Sequence, residues 1–192
     1  GTDNRSITSQ WKAYQFGGAF FRLNYAFDDR YLLEVNGRYD GSSRFPSDER
    51  WAFFPSASVG WRISQEPWWN VKSEHISNAK VRFSWGSLGN AAGLSNYQYI
   101  QTLGISKSDY ILDGLRQNYM SSPAALPGNL TWETATTYDI GADLGFFDNR
   151  LTVSGDYYIR KTTDMIVNGP TVPDVFGASS PKGNYADMST YG

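Results

Sequence analysis

Few side chains in this sequence stand where they could carry out catalysis. Asp139 and Asp143 lie four residues apart, and His75 is the single histidine. On a strand, a rise of ~3.3 Å per residue places the two carboxylates ~13 Å apart, which is too far for the paired acids of a glycosidase. His75 has no nucleophile at a useful spacing, and the chain has no cysteine. The sequence therefore predicts no catalytic residue, no metal site and no cofactor.

A second set of residues could bind rather than react. Four tyrosines lie in a long stretch without clear alternation, from about Ser87 to Leu130: Tyr97, Tyr99, Tyr110 and Tyr119. Side-chain amides lie near them, at Asn96, Gln98 and Gln101. Aromatic faces beside amides suit sugar rings or peptide backbones, and they also anchor protein interfaces. Packing of this loop on itself accounts for the tyrosines equally well.

The composition narrows the class of protein. With 17 basic and 19 acidic side chains the net charge is -2, so the sequence predicts no nucleic-acid partner. Aromatic residues make up 16% of the chain, and there are 19 glycines. Together they favour an all-β protein. The first ten residues lack the apolar core of a signal peptide, and no apolar run reaches the ~18 residues of a membrane helix.

The elements that position these residues are predicted from alternation with a period of two. In the segment 31–40, one face would carry Tyr31, Leu33 and Val35, and the other Glu34 and Asn36. A helix would give this segment no apolar stripe, so it is predicted as a strand. The same test predicts six strands, at 19–27, 31–40, 53–63, 79–86, 136–146 and 150–160. Segments of about ten residues match the ~9 to 11 that cross a bilayer as a tilted strand.

The connections between these strands alternate between short and long. Asp28–Arg30 and Asp148–Asn149 have the composition of tight hairpin turns. Residues 41–50 form a longer polar loop, and residues 87–130 and the stretch after strand six are longer still. Short turns on one side and long loops on the other are typical of an outer-membrane barrel.

Two environments are compatible with an alternating strand. In a soluble β-sandwich the apolar face packs inward, and in a membrane barrel it meets lipid. Small residues on the apolar faces, such as Gly37 and Ala142, and aromatic residues near the strand ends favour the barrel. A soluble sandwich that binds carbohydrate on exposed aromatic rings remains the alternative.

Several motifs resemble the SusC/RagA class of TonB-dependent outer-membrane transporters. One is Arg-Tyr-Asp-Gly-Ser-Ser-Arg-Phe at 38–45, and another is Phe-Phe-Pro-Ser-Ala-Ser-Val-Gly-Trp-Arg-Ile-Ser at 53–64. The resemblance continues, in the same order, through 29–34, 76–90, 130–134, 139–151 and 156–164. It covers residues from about 13 to 167.

This resemblance implies an antiparallel transmembrane β-barrel of the plugged, 22-stranded type, of which the chain supplies about six strands. Residues 1–192 would all belong to the barrel domain, without the plug and the segment that contacts the TonB complex. The resemblance further implies a bacterial outer-membrane importer, not an enzyme. It would take up oligosaccharides or peptides together with a SusD-like surface lipoprotein.

The resemblance also implies that one face of the sheet contacts lipid and the other lines the lumen of the barrel. We expect the apolar side chains to contact lipid: Tyr31, Leu33, Val35, Ala57, Val59, Phe83, Ile140, Leu144 and Val153. The lumen would receive the polar ones, including Glu34 and Asn36 and a set of mixed charge: Arg22, Arg38, Arg62, Arg82, Asp139, Asp143, Asp156 and Arg160. Cross-strand pairing and plug docking account for these charges better than solute binding does.

Overall fold

The computed structural model describes residues 13–96, 98–100, 105–112, 114–120, 126, 130–171, 173 and 180–192. It contains nine strands: β1 (Phe16–Phe27), β2 (Tyr31–Ser42), β3 (Trp51–Arg62), β4 (Asn78–Asn90), β5 (Ile105–Leu112), β6 (Leu115–Met120), β7 (Glu133–Phe146), β8 (Leu151–Asn168) and β9 (Lys182–Tyr191). A short 3₁₀ helix, Ile63–Gln65, follows β3. Among the described residues, no helix is long and apolar enough to cross a bilayer.

Seven of the strands form one antiparallel sheet in the order β1-β2-β3-β4-β7-β8-β9. Strands β5 and β6 form a separate hairpin within the β4–β7 connection. The outer strands of the sheet are β1 and β9, so each has one neighbour. In the described part of the seven-stranded sheet, the register is unbroken from β1 to β8 and shifts between Thr162 and Ile166 of β8 in its pairing with β9. The β5–β6 hairpin has a shift of its own between Lys107 and Ile111.

All six predicted strands are present, and the structure adds three within stretches that the sequence pattern predicts as loops. Strand β9 lacks a clear signal because its sequence, from Lys182 to Tyr191, alternates weakly and follows a proline-rich stretch. The alternative of a soluble β-sandwich is wrong. Such a fold packs two sheets face to face, whereas the described residues form one large sheet whose apolar side chains remain exposed.

Two tight turns, Asp28–Arg30 and Phe147–Arg150, lie at one end of the sheet, which we call the short-turn end, together with the longer 63–77 connection. Asp28 and Asp29 both have positive φ, and the Arg30 amide donates to the Phe27 carbonyl at 3.1 Å. Positive φ at both central residues matches the twist of a β-hairpin and suits aspartate better than most residues. The opposite end, with residues 43–50, 91–132 and 169–181, is the long-loop end.

A cluster of buried apolar side chains lies at the long-loop end of the sheet, with one member, Phe54, on β3 and the others outside the strands. We call it the loop core: Phe45, Phe54, Leu94, Leu130 and Trp132. The Trp132 ring stacks on Phe45, with centroids 4.7 Å apart, and meets the Phe54 ring edge-on at 5.6 Å. The ring of Phe54 lies directly over Gly89, where a Cβ would be only 2.0 Å from it. Residues from separate loops and strands are thereby held together.

Hydrogen bonds fix the entry to β7 beside this core. The Asn184 side chain of β9 accepts from the Thr131 amide at 3.0 Å and donates to the Thr131 carbonyl at 3.0 Å. The Trp132 indole N–H donates to the Arg50 carbonyl at 3.3 Å. Since these bonds reach residues far apart in sequence, the end of the longest connection is tied to β9 and to the β2–β3 loop.

The loop core predicts how the long loops respond to loss of one ring. Phe45 is completely buried, and truncation of a buried Phe to Ala typically costs ~3–5 kcal/mol. In the intact protein, Phe45→Ala should therefore speed limited proteolysis within residues 43–50 and 91–132 by tenfold or more, without affecting the seven-stranded sheet. Phe147→Ala is the control, because that ring is 57% exposed at the opposite end. Equal cleavage rates for both variants would contradict the anchoring role of Phe45.

Candidate functional site: the two faces of the sheet

One face of the sheet is apolar across consecutive strands. The register aligns Leu33, Val59, Phe83, Ile140 and Tyr157 in one row from β2 to β8. The next row aligns Val35, Ala57, Trp85, Tyr138 and Ile159. The side chains of the first row are all 40% or more exposed. Six of the nine side chains predicted to share an apolar face lie in these two rows, and the other three, Tyr31, Leu144 and Val153, lie on the same face by alternation along β2, β7 and β8.

Aromatic rings border this face at both ends. Phe27, Tyr31 and Trp61 lie at the short-turn end, and Tyr39 and Trp51 lie towards the long-loop end. Tyr39 and Trp51 stack with centroids 5.2 Å apart. Tyr31 and Tyr39 are eight residues apart on β2, which corresponds to ~26 Å along the strand. At a tilt of ~40° this spans ~20 Å, close to the ~25 Å apolar band of outer-membrane barrels.

The opposite face carries the polar side chains, and Arg82 is at the centre of their best-connected cluster. Its Nη2 lies 2.9 Å from Asp156 Oδ1, and its Nε lies 2.9 Å from Asp143 Oδ2. Gly141 separates Arg82 from Asp156 in the register, and a Cβ there would be 2.1 Å from the Asp156 carboxylate. Glycine at 141 therefore allows the ion pair to cross β7. Ser154 donates to Asp143 at 2.8 Å and completes the cluster.

All eight predicted lumen-facing residues lie on this polar face, but only Arg82, Asp143 and Asp156 form one cluster. Elsewhere Arg22 donates to Asn36 at 2.8 Å, and Arg38 pairs with Asp40 at 2.5 Å. The remaining three lie apart: Arg62 donates to the Asp29 carbonyl, Arg160 donates to Thr137, and Asp139 is opposite Ser84 in the register. Within the described part of the chain, no three acidic or histidine side chains converge to hold a metal ion.

The predicted tyrosines divide into two environments. Tyr99 is half-buried and packs against the loop core. Tyr110 on β5 and Tyr119 on β6 are 84% and 51% exposed. Tyr97 lies outside the described residues. Self-packing thus accounts for Tyr99, while the hairpin presents two rings to its surroundings.

A buried carboxylate organises the short-turn end. Glu66 is 8% exposed, and its Oε1 accepts from the Tyr31 hydroxyl at 2.6 Å and from the Trp61 indole at 2.9 Å. Arg30 donates to its other oxygen at 3.1 Å and also pairs with Asp28. The hydrogen bonds from Tyr31 and Trp61, together with the Arg30 charge, hold the pKa of Glu66 below its ordinary value.

Sequence reasoning missed Glu66, Trp132 and Phe45. Glu66 lies in an irregular connection, where its burial has no periodic signature. Phe45 lies in a polar loop and Trp132 precedes a strand, so neither contributes to an alternating face. A large aromatic residue within an otherwise polar loop was the one available signal for the loop core.

The lowered pKa of Glu66 predicts a pH-dependent stability. A carboxyl group with a folded-state pKa below its unfolded value stabilises the fold above the unfolded pKa, and this stabilisation is lost as the pH falls through the folded pKa. Glu66→Gln should therefore lower the melting temperature of the intact protein at pH 7. The difference between wild type and variant should shrink as the pH falls below the ordinary carboxyl range. Thermal unfolding followed by tryptophan fluorescence measures this.

Glu74→Gln provides the matched control, since Glu74 is an exposed acid on the same 63–77 connection. At pH 7 this variant should have the same melting temperature as the wild type. A Glu66→Gln deficit that is the same at pH 7 and at pH 3 would contradict the assigned role of the charge.

The sequence is similar to a family of β-barrels and to known TonB-dependent receptors. The family model described as "TonB dependent receptor-like, beta-barrel" matches residues 1–192. TonB-dependent receptor P26 of Formosa agariphila is 34% identical over 187 residues, which are 97% of this chain and 18% of that protein. TonB-dependent receptor SusC of Bacteroides thetaiotaomicron is 38% identical over 157 residues, or 80% of this chain and 15% of that protein.

The chain is also similar in fold to solved structures of transporters. The structure of the RagAB peptide transporter superimposes with a TM-score of 0.76 and 29% identity, and covers 92% of this chain and 19% of that one. The RagAB peptide importer in its closed-closed state gives a TM-score of 0.77 at 28% identity. The chain thus spans less than a fifth of the length of these relatives. With its strands, faces and relatives in agreement, the chain belongs to the TonB-dependent receptor-like β-barrel family, as a SusC/RagA-like segment of a bacterial outer-membrane receptor.

Proposed function

We propose that these strands form part of the barrel wall of a TonB-dependent importer that brings a nutrient across the outer membrane. The observation that carries this proposal is the pair of opposite faces, one apolar in consecutive rows from β1 to β8 and one polar. Apolar side chains that remain exposed on a sheet suit lipid. Charges such as those around Arg82 are far less costly against a wet or plugged lumen than against lipid.

The wall alone does not drive transport. In this proposal all of residues 1–192 belong to the barrel domain, and the plug and the TonB-contacting segment lie in other parts of the longer protein. Energy would come from the TonB complex through those parts. The relatives' greater length supports this division, because most of each relative has no counterpart among these residues.

The solute would be an oligosaccharide or a peptide. Similarity to a protein described as a peptide transporter supports the peptide class. Similarity to SusC supports the same architecture without deciding the solute. Aromatic rings beside side-chain amides suit both classes, since a tyrosine can stack on a sugar ring or pack along a peptide.

A SusD-like lipoprotein would cover the long-loop end, which in this proposal faces outward. Four tyrosines are the candidate contacts: Tyr97, Tyr99, Tyr110 and Tyr119. The exposed pair on the β5–β6 hairpin, Tyr110 and Tyr119, is best placed for an interface, because large exposed rings contribute strongly to protein binding. Tyr99 would contribute by holding the loop against its core.

Single cysteines test which face meets lipid, and the chain has none of its own. In the full-length protein in outer membranes, with any other cysteines replaced, a water-soluble maleimide should label the polar set at least tenfold faster. The two sets are adjacent in sequence, which makes them matched controls: Leu33, Val59, Phe83 and Ile140 on the apolar face, and Glu34, Ser58, Ser84 and Asp139 on the polar face. Labelling of the denatured protein normalises thiol reactivity. Equal rates for both sets in the folded protein would refute a lipid-facing wall.

The hairpin tyrosines provide a separate test of the lipoprotein contact. Tyr110→Ser with Tyr119→Ser should reduce co-purification of the SusD-like lipoprotein about tenfold or more, because loss of interface anchors often costs ~2 kcal/mol or more. Uptake of a labelled peptide mixture should fall in parallel. Lys107→Ala with Asn118→Ala alters an opposed pair on the same hairpin and removes no ring. Unchanged association in the tyrosine variant would exclude these rings from the interface.

A further inference from the structure

The middle of the 63–77 connection is apolar although it is exposed. Residues 67–71, which we call the tryptophan segment, read Pro-Trp-Trp-Asn-Val. Trp68 is 58% exposed and Val71 is 41% exposed, while Trp69 is half-buried and its ring centroid lies 6.4 Å from that of Trp68. Large apolar side chains that are exposed together mark a surface that contacts a protein partner or a membrane.

The connection is tied to the sheet on both sides of this segment. Before it, the Glu66 carboxylate accepts hydrogen bonds from the Tyr31 hydroxyl and the Trp61 indole. After it, the Ser77 amide donates to the Gly145 carbonyl at 2.8 Å. The tryptophan segment is therefore held beside the end of the sheet, and it does not depend on a partner for its place in the fold.

The tryptophan segment continues the apolar face beyond the end of β3. Trp61 alternates along β3 with the residues of that face, such as Val59 and Ala57. The ring of Trp68 meets the ring of Trp61 edge-on, with centroids 6.5 Å apart. Because the indole N–H of Trp61 is turned towards Glu66, the rest of its ring and the ring of Trp68 form one apolar border.

The charges at the short-turn end do not favour a strongly charged partner. Lys72 and Glu74, which follow the tryptophan segment, are exposed and opposite in sign. The charged side chains of the two tight turns are also of both signs: Asp28, Asp29, Arg30, Asp148 and Arg150. A surface with an apolar border and mixed charge suits the headgroup region of a phospholipid layer.

We infer that the tryptophan segment lies in the phospholipid layer nearest the short-turn end and inserts Trp68 and Val71 among the lipids. A tryptophan ring suits this depth, since its body is apolar and its N–H can meet headgroups or water. Continuity with the apolar face favours lipid over a protein partner, because both surfaces then meet the same layer. The inference rests on the proposed function, in which the apolar face contacts lipid.

Spin labelling of the full-length protein in vesicles of phosphatidylethanolamine and phosphatidylglycerol tests this inference. Each sample carries one label, and any other cysteines are replaced. Oxygen concentrates in lipid and a nickel chelate stays in water, so the ratio of their collision rates with the label reports its surroundings. Trp68→Cys and Val71→Cys should give ratios about fivefold or more above Glu74→Cys, the matched control, because Glu74 is exposed on the same connection. Leu33→Cys is the lipid reference.

A second comparison tests the ring of Trp68. With the label at position 71, Trp68→Ser should lower the ratio about threefold, because the segment loses its largest interfacial side chain. Trp68→Phe should retain most of the ratio. Since Trp68 is exposed, neither substitution opens a cavity in a core. Heat-dependent gel mobility reports whether each variant forms a folded barrel.

Three results would overturn the inference. The ratios at positions 68 and 71 could equal the ratio at 74, which places the segment in water. Both reagents could collide rarely with these labels, which means that protein, such as a second copy, covers the segment. The ratio at 71 could also be independent of Trp68. Each result leaves the lipid-facing wall intact if Leu33→Cys reports lipid, whereas an aqueous ratio at position 33 would contradict the proposed function itself.

Discussion

A backbone amide or carbonyl that faces hydrocarbon has no water to bond, so it must be paired within the protein. In this chain the antiparallel ladder that runs through β1, β2, β3, β4, β7, β8 and β9 provides this pairing. Once the register is set, alternate side chains point to opposite faces. A slip of one residue in β3 would move Val59 to the polar face and Ser58 to the apolar face, so the side-chain pattern and the ladder specify each other.

A single sheet with one face towards lipid has little interior of its own, and the buried contacts are accordingly found at its two ends. At the long-loop end, the rings of Phe45 and Trp132 pack in an apolar core. At the short-turn end, Glu66 collects hydrogen bonds from an arginine, a tyrosine and a tryptophan. The first cluster depends on apolar burial and the second on charge-assisted hydrogen bonds, so only the second responds to pH.

The strands of the sheet could be predicted from the sequence more completely than the structure at its short-turn and long-loop ends. The alternation of Leu33 with Glu34, or of Val59 with Ser58, predicts strands and faces, because only an extended chain sends successive side chains to opposite sides. The same reasoning failed for β9, whose residues alternate weakly, and for β5 and β6, which lie in a connection predicted as a loop. It also could not find Glu66 or Trp132, because burial at a loop depends on distant residues such as Tyr31 and Arg50.

The pairing of β4 with β7 has a consequence for the order in which the chain folds. Hairpins β1–β2 and β7–β8 close over tight turns, whereas β4 and β7 meet only after residues 91–132 have been looped out. Closing a longer loop costs more conformational entropy, by about 0.6 kcal/mol for each doubling of its length, and non-local pairing of this kind slows folding. Leu94 and Leu130 stand near the two ends of that loop, and both are buried in the cluster that contains Trp132. The loop core thus links the two parts of the sheet, β1 to β4 and β7 to β9, at the longest connection, where pairing between them is expected to be slowest.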